Sequence, residues 1–231
     1  MNFDESHWLE VIKRPNWYLE FNEFARHAQR DSKREQTELD ELSRQIRHFF
    51  ESALQKDMVN LAKAWPDTDK ERAPIDTVVI HHTSAKPGYR LSYLNAVHLL
   101  NIYVPVFSKP PYAGKPIWSG HFKDNRQVFW GYHWLLRNGR EFERLLDDNE
   151  IGWHAGNWDI NKRSIGICLD DDYEKHNPTD ETLQNLGRFI KTQYPQVKRE
   201  KIIGHCEAKA GTICPGANFV SVWKSKLLEY L

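Results

Sequence analysis

The chain has 231 residues, of which 40% are hydrophobic and 28% are charged, and its 32 basic side chains balance 32 acidic ones. A zero net charge provides no general attraction to nucleic acid or to an anionic membrane surface. The sequence contains no run of about 18 apolar residues, which is the length that a membrane-spanning helix needs. The three cysteines, Cys168, Cys206 and Cys214, do not resemble a disulfide framework, and they fit either a reducing compartment or a metal site.

The N-terminal region differs in composition from the rest of the chain. Residues 1–70 are highly charged and contain no glycine, and they predict a helical extension. Pro15 and Asn16 should interrupt a first short helix. A second helix is predicted from residue 38 to residue 65, where Pro66 ends it. Its apolar residues recur at spacings of three and four: Leu39, Leu42, Ile46, Phe49 and Ala53.

This apolar face of the second helix must be buried against something. We expect it to pack on the domain that follows in the chain. The alternatives are a surface for homodimerisation or partner binding, and a helix that lies on a membrane, which the mixture of both charges on the polar face disfavours.

From about residue 75 onward, strands alternate with helices, which predicts an α/β fold with a mixed central β-sheet flanked by helices. Asn138 and Gly139 mark a two-residue hairpin turn. Residues 107–127 predict a long loop. Strands are expected at about 75–82, 127–136, 141–146, 164–169 and 201–203. Helices are expected over about 91–106, after a cap at Thr179, and from about Asn218, the last one burying Phe219, Val222, Trp223 and Leu227.

The segment Gly204–Gly216 carries two residues that are good zinc ligands, His205 and Cys214. They stand nine positions apart in a stretch that predicts a loop, closed by Pro215. A metal site needs at least one further ligand from elsewhere in the chain.

The buried strand predicted near residues 75–82 ends in two adjacent histidines, His81 and His82. The strand would place either of them at its C-terminal end. Adjacent residues in a strand point to opposite faces of the sheet, so only one of the two can face a metal ion.

Five short motifs occur in the same order as in a known family. They are Val-Ile-His-His-Thr at 79–83, Gly-Tyr-His at 131–133, Gly-Trp-His-Ala-Gly at 152–156, Ser-Ile-Gly-Ile at 164–167, and Gly-His at 204–205 with Cys-Pro-Gly at 214–216. In this pattern the chain resembles the type 2 N-acetylmuramoyl-L-alanine amidases, which include phage endolysins and the catalytic peptidoglycan recognition proteins. The resemblance covers about residues 75–231, the predicted zinc amidase domain, and leaves out residues 1–74.

The resemblance implies that His81, His205 and Cys214 bind one Zn²⁺ per chain. Three protein ligands leave a fourth position open, which is typical of catalytic zinc sites. Such an ion activates water and polarises a carbonyl group. His82 and Cys206 are the competing ligands, the second because the loop between His205 and Cys214 is one residue longer than in the phage enzymes.

Two further residues are assigned catalytic roles by the resemblance. Tyr132 aligns with the active-site tyrosine, whose phenol would stabilise a developing oxyanion. Thr212 stands two residues before the ligand cysteine, where some phage enzymes have a lysine and catalytic recognition proteins have a threonine. Thr212 would donate a hydrogen bond to the same oxyanion, and Lys209 on the same loop is a candidate for the missing cation.

The resemblance places His154 in the substrate cleft, and Asn161 and Arg163 are expected to line it. Asp170, at the end of the predicted strand 164–169, is a spare candidate for a general base. The alternative for Asp170 is a solvated carboxylate beside two further aspartates.

The implied activity is zinc-dependent hydrolysis of the amide bond between N-acetylmuramic acid and L-alanine in peptidoglycan, for cell-wall lysis or turnover. The alternatives are a peptidoglycan-binding module without catalysis and a structural zinc domain whose N-terminal helix binds a partner. The expected partners are peptidoglycan or muropeptides and, through the N-terminal helix, a second copy of the chain. The N-terminus lacks a signal peptide, so we expect a cytoplasmic protein or one released to the cell wall by a non-signal route.

Overall fold

The computed structural model describes residues 3–30, 35–65 and 67–231, and the chain divides into two compact units. The first unit consists of Met1–Asp67 and Arg90–Phe129, and the second of Thr68–Tyr89 and Trp130–Leu231. Residues 90–129 of the first unit lie inside the range 75–231 predicted for the zinc domain, and the two domain ranges stay predictions. No helix within the described ranges combines the length and the apolarity that crossing a membrane requires.

The chain contains α-helices, strands and a few turns of other helix types. Turns of 3-10 helix occupy Thr68–Glu71 and Arg199–Lys201, and π-helical turns occupy Leu99–Tyr103 and Phe219–Trp223. The α-helices and strands are α1 (Glu5–Val11), α2 (Trp17–Arg30), α3 (Gln36–Gln55), β1 (Thr77–His82), α4 (Leu91–His98), α5 (Val104–Phe107), β2 (His121–Lys123), β3 (Arg126–Val128), β4 (Trp134–Arg137), β5 (Glu141–Arg144), α6 (Trp158–Asn161), β6 (Ser164–Leu169), α7 (Asp180–Gln193), β7 (Ile202–Gly204), α8 (His205–Ala208) and α9 (Lys224–Glu229).

In the first unit, α3 packs against aromatic side chains of α2. The rings of Trp17 and Phe21 lie 5.1 and 5.0 Å from the ring of Phe50. The predicted interruption at Pro15 and Asn16 is confirmed, because α1 ends before it and α2 begins after it. The predicted face is buried at four positions, Leu42, Ile46, Phe49 and Ala53. This face is covered within the single chain. The homodimer predicted through the N-terminal helix would therefore need other residues of that helix, and it stays a prediction.

The predicted extent of α3 is wrong, because the helix ends at Gln55 and not near residue 65. Asp57 has a positive φ of 52°, and a side-chain-bearing residue in this conformation does not continue a right-handed helix. The amide of Met58 donates instead to the carbonyl of Ala53 at 2.9 Å. Pro66, predicted to end the helix, lies outside the described residues.

The second unit is organised around a five-stranded sheet with the order β5-β4-β6-β1-β7. β1 runs parallel to β6 and β7, and β4 runs parallel to β6 but antiparallel to β5. Every residue of β1 and β6 is buried, as expected for parallel strands covered on both faces. The mixed sheet flanked by helices confirms the predicted fold class.

The hairpin predicted at Asn138 and Gly139 is confirmed, since both residues have positive φ and connect the antiparallel strands β4 and β5. Thr179 caps α7 as predicted, with its hydroxyl accepting from the amide of Thr182. The prediction of burial is wrong for Val222, which is 41% exposed.

Two predicted segments near the site are also wrong. The strand expected at 127–136 is divided into β3 and β4, which belong to different sheets. The break arises because the amide of Phe129 donates to the side chain of Asn95 and the amide of His133 donates to the carbonyl of Gly166. The loop expected at 204–216 begins with the short helix α8, in which the Glu207 carboxylate accepts from the amide of Gly204 at 2.9 Å.

Candidate metal centre

Strand alternation separates the two adjacent histidines at the end of β1. The Nδ1 atom of His82 accepts from the amide of Tyr173 at 3.1 Å, and its Nε2 lies 2.8 Å from the hydroxyl of Ser84. Both ring nitrogens of His82 therefore interact with groups other than the predicted ligands His205 and Cys214. His81 faces those ligands, and its ring centroid lies 4.7 Å from that of His205.

The ligand atoms of His81, His205 and Cys214 all lie within 4.8 Å of one another. The Nδ1 atom of His81 is 3.7 Å from the sulfur of Cys214. A tetrahedral zinc ion holds a nitrogen and a sulfur ligand about 3.6 Å apart, given the usual bond lengths. The observed separation is close to this value.

The Nε2 atom of His205 provides an independent indication. This atom is buried and has no hydrogen-bond partner among the residues that the structure describes. A buried polar atom without a partner is costly, and bound cations are one of the groups that satisfy it. Two imidazoles and one thiol are a donor set that zinc prefers.

The sheet and one backbone hydrogen bond fix the position of the loop that carries His205 and Cys214. Gly204 of β7 is the register partner of Ile80, so the residue after it begins beside the end of β1. The amide of Cys206 donates to the carbonyl of Cys214 at 2.7 Å and closes the loop. The side chain of Cys206 packs against the apolar core of the second unit, and Cys206 is not part of the ligand cluster found among the described residues.

Burial sets the protonation of these ligands in the absence of a cation. It raises the pKa of the Cys214 thiol to about 12 and lowers the pKa of His205 to about 4. The imidazole is therefore already neutral, as a metal ligand must be. The thiol becomes a ligand when a cation compensates the charge of the thiolate.

Tyr132 lies against the ligands, with its ring centroid 4.8 Å from that of His81. Burial raises the pKa of the phenol well above its ordinary value, and Cys168, to which the hydroxyl is hydrogen-bonded, and Cys214 raise it further. The phenol is therefore protonated at neutral pH and can donate a hydrogen bond. Its predicted position beside the metal ligands agrees with the structure, while its catalytic role stays a prediction.

Cys168 is a site residue that the sequence analysis did not identify. It is the register partner of His81 on β6, so the two side chains lie on the same face of the sheet. Strand alternation predicts that Cys168 lies on the same face as Ser164 and Gly166. The sequence does not reveal the register between β1 and β6, so it does not place Cys168 beside His81.

His154 lies behind His81 and is only 4% exposed. Its Nδ1 is 3.0 Å from Nε2 of His81, and its Nε2 is 3.2 Å from the hydroxyl of Ser164. Burial lowers the pKa of His154 to about 3, so the ring is neutral. The predicted role of His154 in substrate binding is not tested by these contacts and stays a prediction.

The structure places Asn161 and Arg163 at the two ends of the turn before β6. The side-chain oxygen of Asn161 accepts from the amide of Ala155 at 2.8 Å, and the residue is buried. The guanidinium of Arg163 pairs with Asp76, just before β1, and is half exposed. Substrate contact by either residue stays a prediction.

The remaining candidates on the loop have defined positions. The hydroxyl of Thr212 accepts from the amide of Cys214 at 3.2 Å, next to the ligand sulfur. The side chain of Lys209 extends over Gly156, and its ammonium nitrogen lies 3.3 Å from the point that a Cβ atom there would occupy. Lys209 therefore reaches the loop that carries His154.

The alternative of a solvated carboxylate at Asp170 is wrong, because this residue is only 3% exposed. One of its oxygens accepts from the guanidinium of Arg137 at 2.6 Å and from the amide of Gly88 at 2.9 Å. Asp170 thus belongs to a buried ion pair at the end of β6.

Similarity to known proteins covers the segment of the chain that carries these residues. Residues 71–217, more than half of the chain, match the model of the family described as N-acetylmuramoyl-L-alanine amidase. The chain is also similar to the 1,6-anhydro-N-acetylmuramyl-L-alanine amidase AmpD of Haemophilus influenzae. The two are 29% identical over 168 residues, which is 67% of this chain and 84% of the relative.

Three solved structures are similar at lower identity. A selenomethionine derivative of AmpD is 22% identical, covers 74% of this chain and 98% of its own, and has a TM-score of 0.47. The amidase LysC from Clostridium intestinale is 20% identical, with coverages of 68% and 86% and a TM-score of 0.46. The Drosophila peptidoglycan recognition protein SD is 23% identical, with coverages of 68% and 82% and a TM-score of 0.41. The match to the family model is decisive, and the chain belongs to the type 2 N-acetylmuramoyl-L-alanine amidase family.

Proposed function

We propose that this protein hydrolyses the amide bond between N-acetylmuramic acid and L-alanine in peptidoglycan or its muropeptide fragments, with one zinc ion held by His81, His205 and Cys214. The observation that carries the proposal is the convergence of these three ligand atoms within 4.8 Å in a member of the amidase family. When bound, zinc would supply a Lewis acid and lower the pKa of water to about 7.

The protein's own residues would stabilise the transition state. In the hydrolysis, the oxygen of a water molecule adds to the lactyl carbonyl carbon, the carbon–nitrogen bond breaks, and one proton of the water passes to the leaving nitrogen. The products are the lactyl carboxylate and a stem peptide with a free L-alanine amino group. The phenol of Tyr132 would donate a hydrogen bond to the oxygen on which negative charge develops, a contribution on the order of 3 kcal/mol. The hydroxyl of Thr212 would be a second donor from the ligand loop.

The substrate would be oriented by residues near the turn before β6. Arg163 offers a half-exposed guanidinium, and an arginine suits the carboxylate groups of the stem peptide, although the pair with Asp76 would have to share it. Asn161 would act through the backbone, because its side chain fixes the amide of Ala155 beside His154. Substrate binding by His154 would require access to a ring that is almost completely buried.

A peptidoglycan-binding module without catalysis is the alternative function. Such a module is expected to lack a zinc ligand or the hydrogen-bond donor beside the metal. The presence of Cys214 together with Tyr132 favours the enzyme. The homodimer predicted through the N-terminal helix is a separate proposal, which sedimentation of the purified chain would test.

The test uses purified protein and purified peptidoglycan, with wild type compared with Cys214→Ser. Wild type should contain about one zinc ion per chain and should release stem peptides that have a free L-alanine amino terminus. Both properties should be lost in Cys214→Ser. Cys206→Ser is the matched control, since it removes a thiol of the same loop that packs against the apolar core and is not one of the clustered ligands, and it should retain both. Tight wall binding by a zinc-loaded protein that releases no L-alanine termini would support the binding module instead.

A further inference from the structure

The contacts of His154 point to a role that differs from substrate binding. Its Nδ1 atom lies 3.0 Å from Nε2 of His81, the ring nitrogen on the side opposite the predicted metal-binding atom. The two ring planes are almost perpendicular, at 89°, so an N–H in the plane of one ring can point to a nitrogen of the other. The distance is that of a direct hydrogen bond between the imidazoles.

The metal site determines the direction of this hydrogen bond. Nδ1 of His81 is the atom close to the sulfur of Cys214, at 3.7 Å, so it must be unprotonated when it binds a metal. The proton of neutral His81 is then on Nε2. Nε2 of His81 must donate, and Nδ1 of His154 must accept.

The same logic fixes the proton of His154. Since its Nδ1 accepts, neutral His154 carries its proton on Nε2, which lies 3.2 Å from the hydroxyl oxygen of Ser164. The result is a chain of two hydrogen bonds, from His81 to His154 and from His154 to Ser164. All three residues are buried.

The surroundings hold the His154 ring in this orientation. A Cβ atom at Gly166 would lie 2.9 Å from the ring, so the absence of a side chain there makes the space for it. The side chain of Asn161 fixes the amide of the following residue, Ala155. Arg72 donates to the carbonyls of Asn161 and Ser164, both at 3.0 Å, and thereby connects the two ends of the turn.

We propose that His154 is a positioning residue for the metal centre: by accepting from Nε2–H of His81, it fixes the tautomer and the ring orientation in which Nδ1 of His81 faces Cys214 and His205. Partners that orient a metal-binding histidine are usually carboxylates, backbone carbonyls or water, and their loss lowers metal affinity about 10–100-fold. In this protein, the orienting partner is the neutral imidazole of His154. The inference rests on the proposed metal site.

The test is zinc affinity, measured by competition with a chelator and independently of amidase activity. His154→Leu removes the acceptor, and its zinc dissociation constant should rise about 10–100-fold. His154→Asn places a side-chain oxygen near the position of Nδ1 and should recover most of the affinity. His27→Leu removes an exposed histidine of the first unit and serves as the control for nonspecific zinc binding, which should leave the affinity unchanged.

A second measurement on the wild-type protein covers the case in which His154→Leu does not fold. Nitrogen NMR of the zinc-loaded chain should show the His154 proton on Nε2 and an unprotonated Nδ1. The opposite tautomer would overturn the inference, as would equal zinc affinity in His154→Leu and wild type, or an equal loss in the Leu and Asn variants.

The outcomes also separate this inference from the proposed function. A wild-type chain that binds zinc with the predicted dependence on residue 154 but cleaves no muramoyl amide would support the positioning role and contradict the amidase. Failure of the wild-type chain to bind zinc would contradict both. A higher Michaelis constant in His154→Leu with unchanged zinc affinity would support substrate binding and overturn the positioning role.

Discussion

His81 and Cys168 are cross-strand partners at the end of the parallel strands β1 and β6, and their side chains lie on the same face of the sheet. The thiol of Cys168 is hydrogen-bonded to the hydroxyl of Tyr132, whose ring contacts His81. A buried thiol therefore connects the strand that carries a metal ligand to the proposed hydrogen-bond donor. This arrangement suggests that the sheet itself orients the phenol.

Removal of this thiol should reduce the turnover number without removing the metal. Cys168→Ala takes away one hydrogen-bond partner of Tyr132, which is worth about 1 kcal/mol, so we expect a decrease of about fivefold in kcat. Cys168→Ser retains a partner of similar size and should be closer to wild type. Zinc content, measured in parallel, should be unchanged in both variants. Loss of zinc from Cys168→Ala would show instead that this thiol supports the ligands.

Replacement of Tyr132 by Phe should have a larger effect, because it removes the proposed donor to the oxyanion. We expect kcat to fall about 100-fold or more, in the range measured for single oxyanion donors. The change deletes only the hydroxyl, so zinc content and thermal stability should be close to wild type. A Tyr132→Phe enzyme with wild-type kcat would remove the phenol from the mechanism.

Asp170 should be important for stability and not for proton transfer. Asp170→Ala leaves the largely buried guanidinium of Arg137 without its closest carboxylate, and we expect a loss of about 3 kcal/mol in the free energy of unfolding. Urea denaturation measures this loss, and Asp171→Ala, which changes the neighbouring and more exposed carboxylate, should lose less than about 1 kcal/mol. If Asp170 were the general base, kcat of the folded variant would fall about 100-fold or more.

Stability should decrease in acid because of a buried histidine in the first unit. Burial of His98 in α4 lowers its pKa to about 3, whereas the unfolded chain has a histidine pKa near 6.5. Between these two values the unfolded state binds the additional proton. The contribution of His98 is therefore complete above about pH 6.5 and is lost as the pH falls toward 3.

For this one group, the free energy of unfolding should decrease by about 2 kcal/mol between pH 7.5 and pH 5. Urea unfolding of wild type and His98→Leu at both pH values measures the difference. Between these two pH values, the free energy of unfolding should decrease by about 2 kcal/mol less in the variant than in wild type, whatever the stability of the variant at pH 7.5. Identical pH dependence in the two proteins would mean that His98 is protonated equally in both states.

Local patterns in the sequence predicted the candidate ligands, and the choice of His81 over His82 came from the family resemblance. His205 and Cys214 are close in the chain, and strand alternation limits the pair His81 and His82 to one ligand. The hairpin at Asn138 and Gly139 and the cap at Thr179 are also local, since they depend on the chemistry of a few adjacent residues. These features were predicted without knowledge of the tertiary structure.

Features that depend on register or on long-range contacts could not be predicted in this way. The pairing of His81 with Cys168 needs the alignment of two parallel strands that are far apart in sequence. The end of α3 depends on the backbone conformation at Asp57, which no side-chain periodicity reveals. The break between β3 and β4 depends on hydrogen bonds to Asn95 and Gly166, residues that belong to other elements.

The most direct test of the central claim is removal and return of the metal. The purified chain would be stripped with a chelator until it contains less than about a tenth of a zinc ion per chain, and release of L-alanine amino termini from peptidoglycan would then be followed as zinc is added back. We predict that the stripped protein is inactive and that activity returns in proportion to bound zinc, with saturation at one ion per chain. Undiminished release of L-alanine termini by the stripped protein would contradict a zinc amidase built on His81, His205 and Cys214.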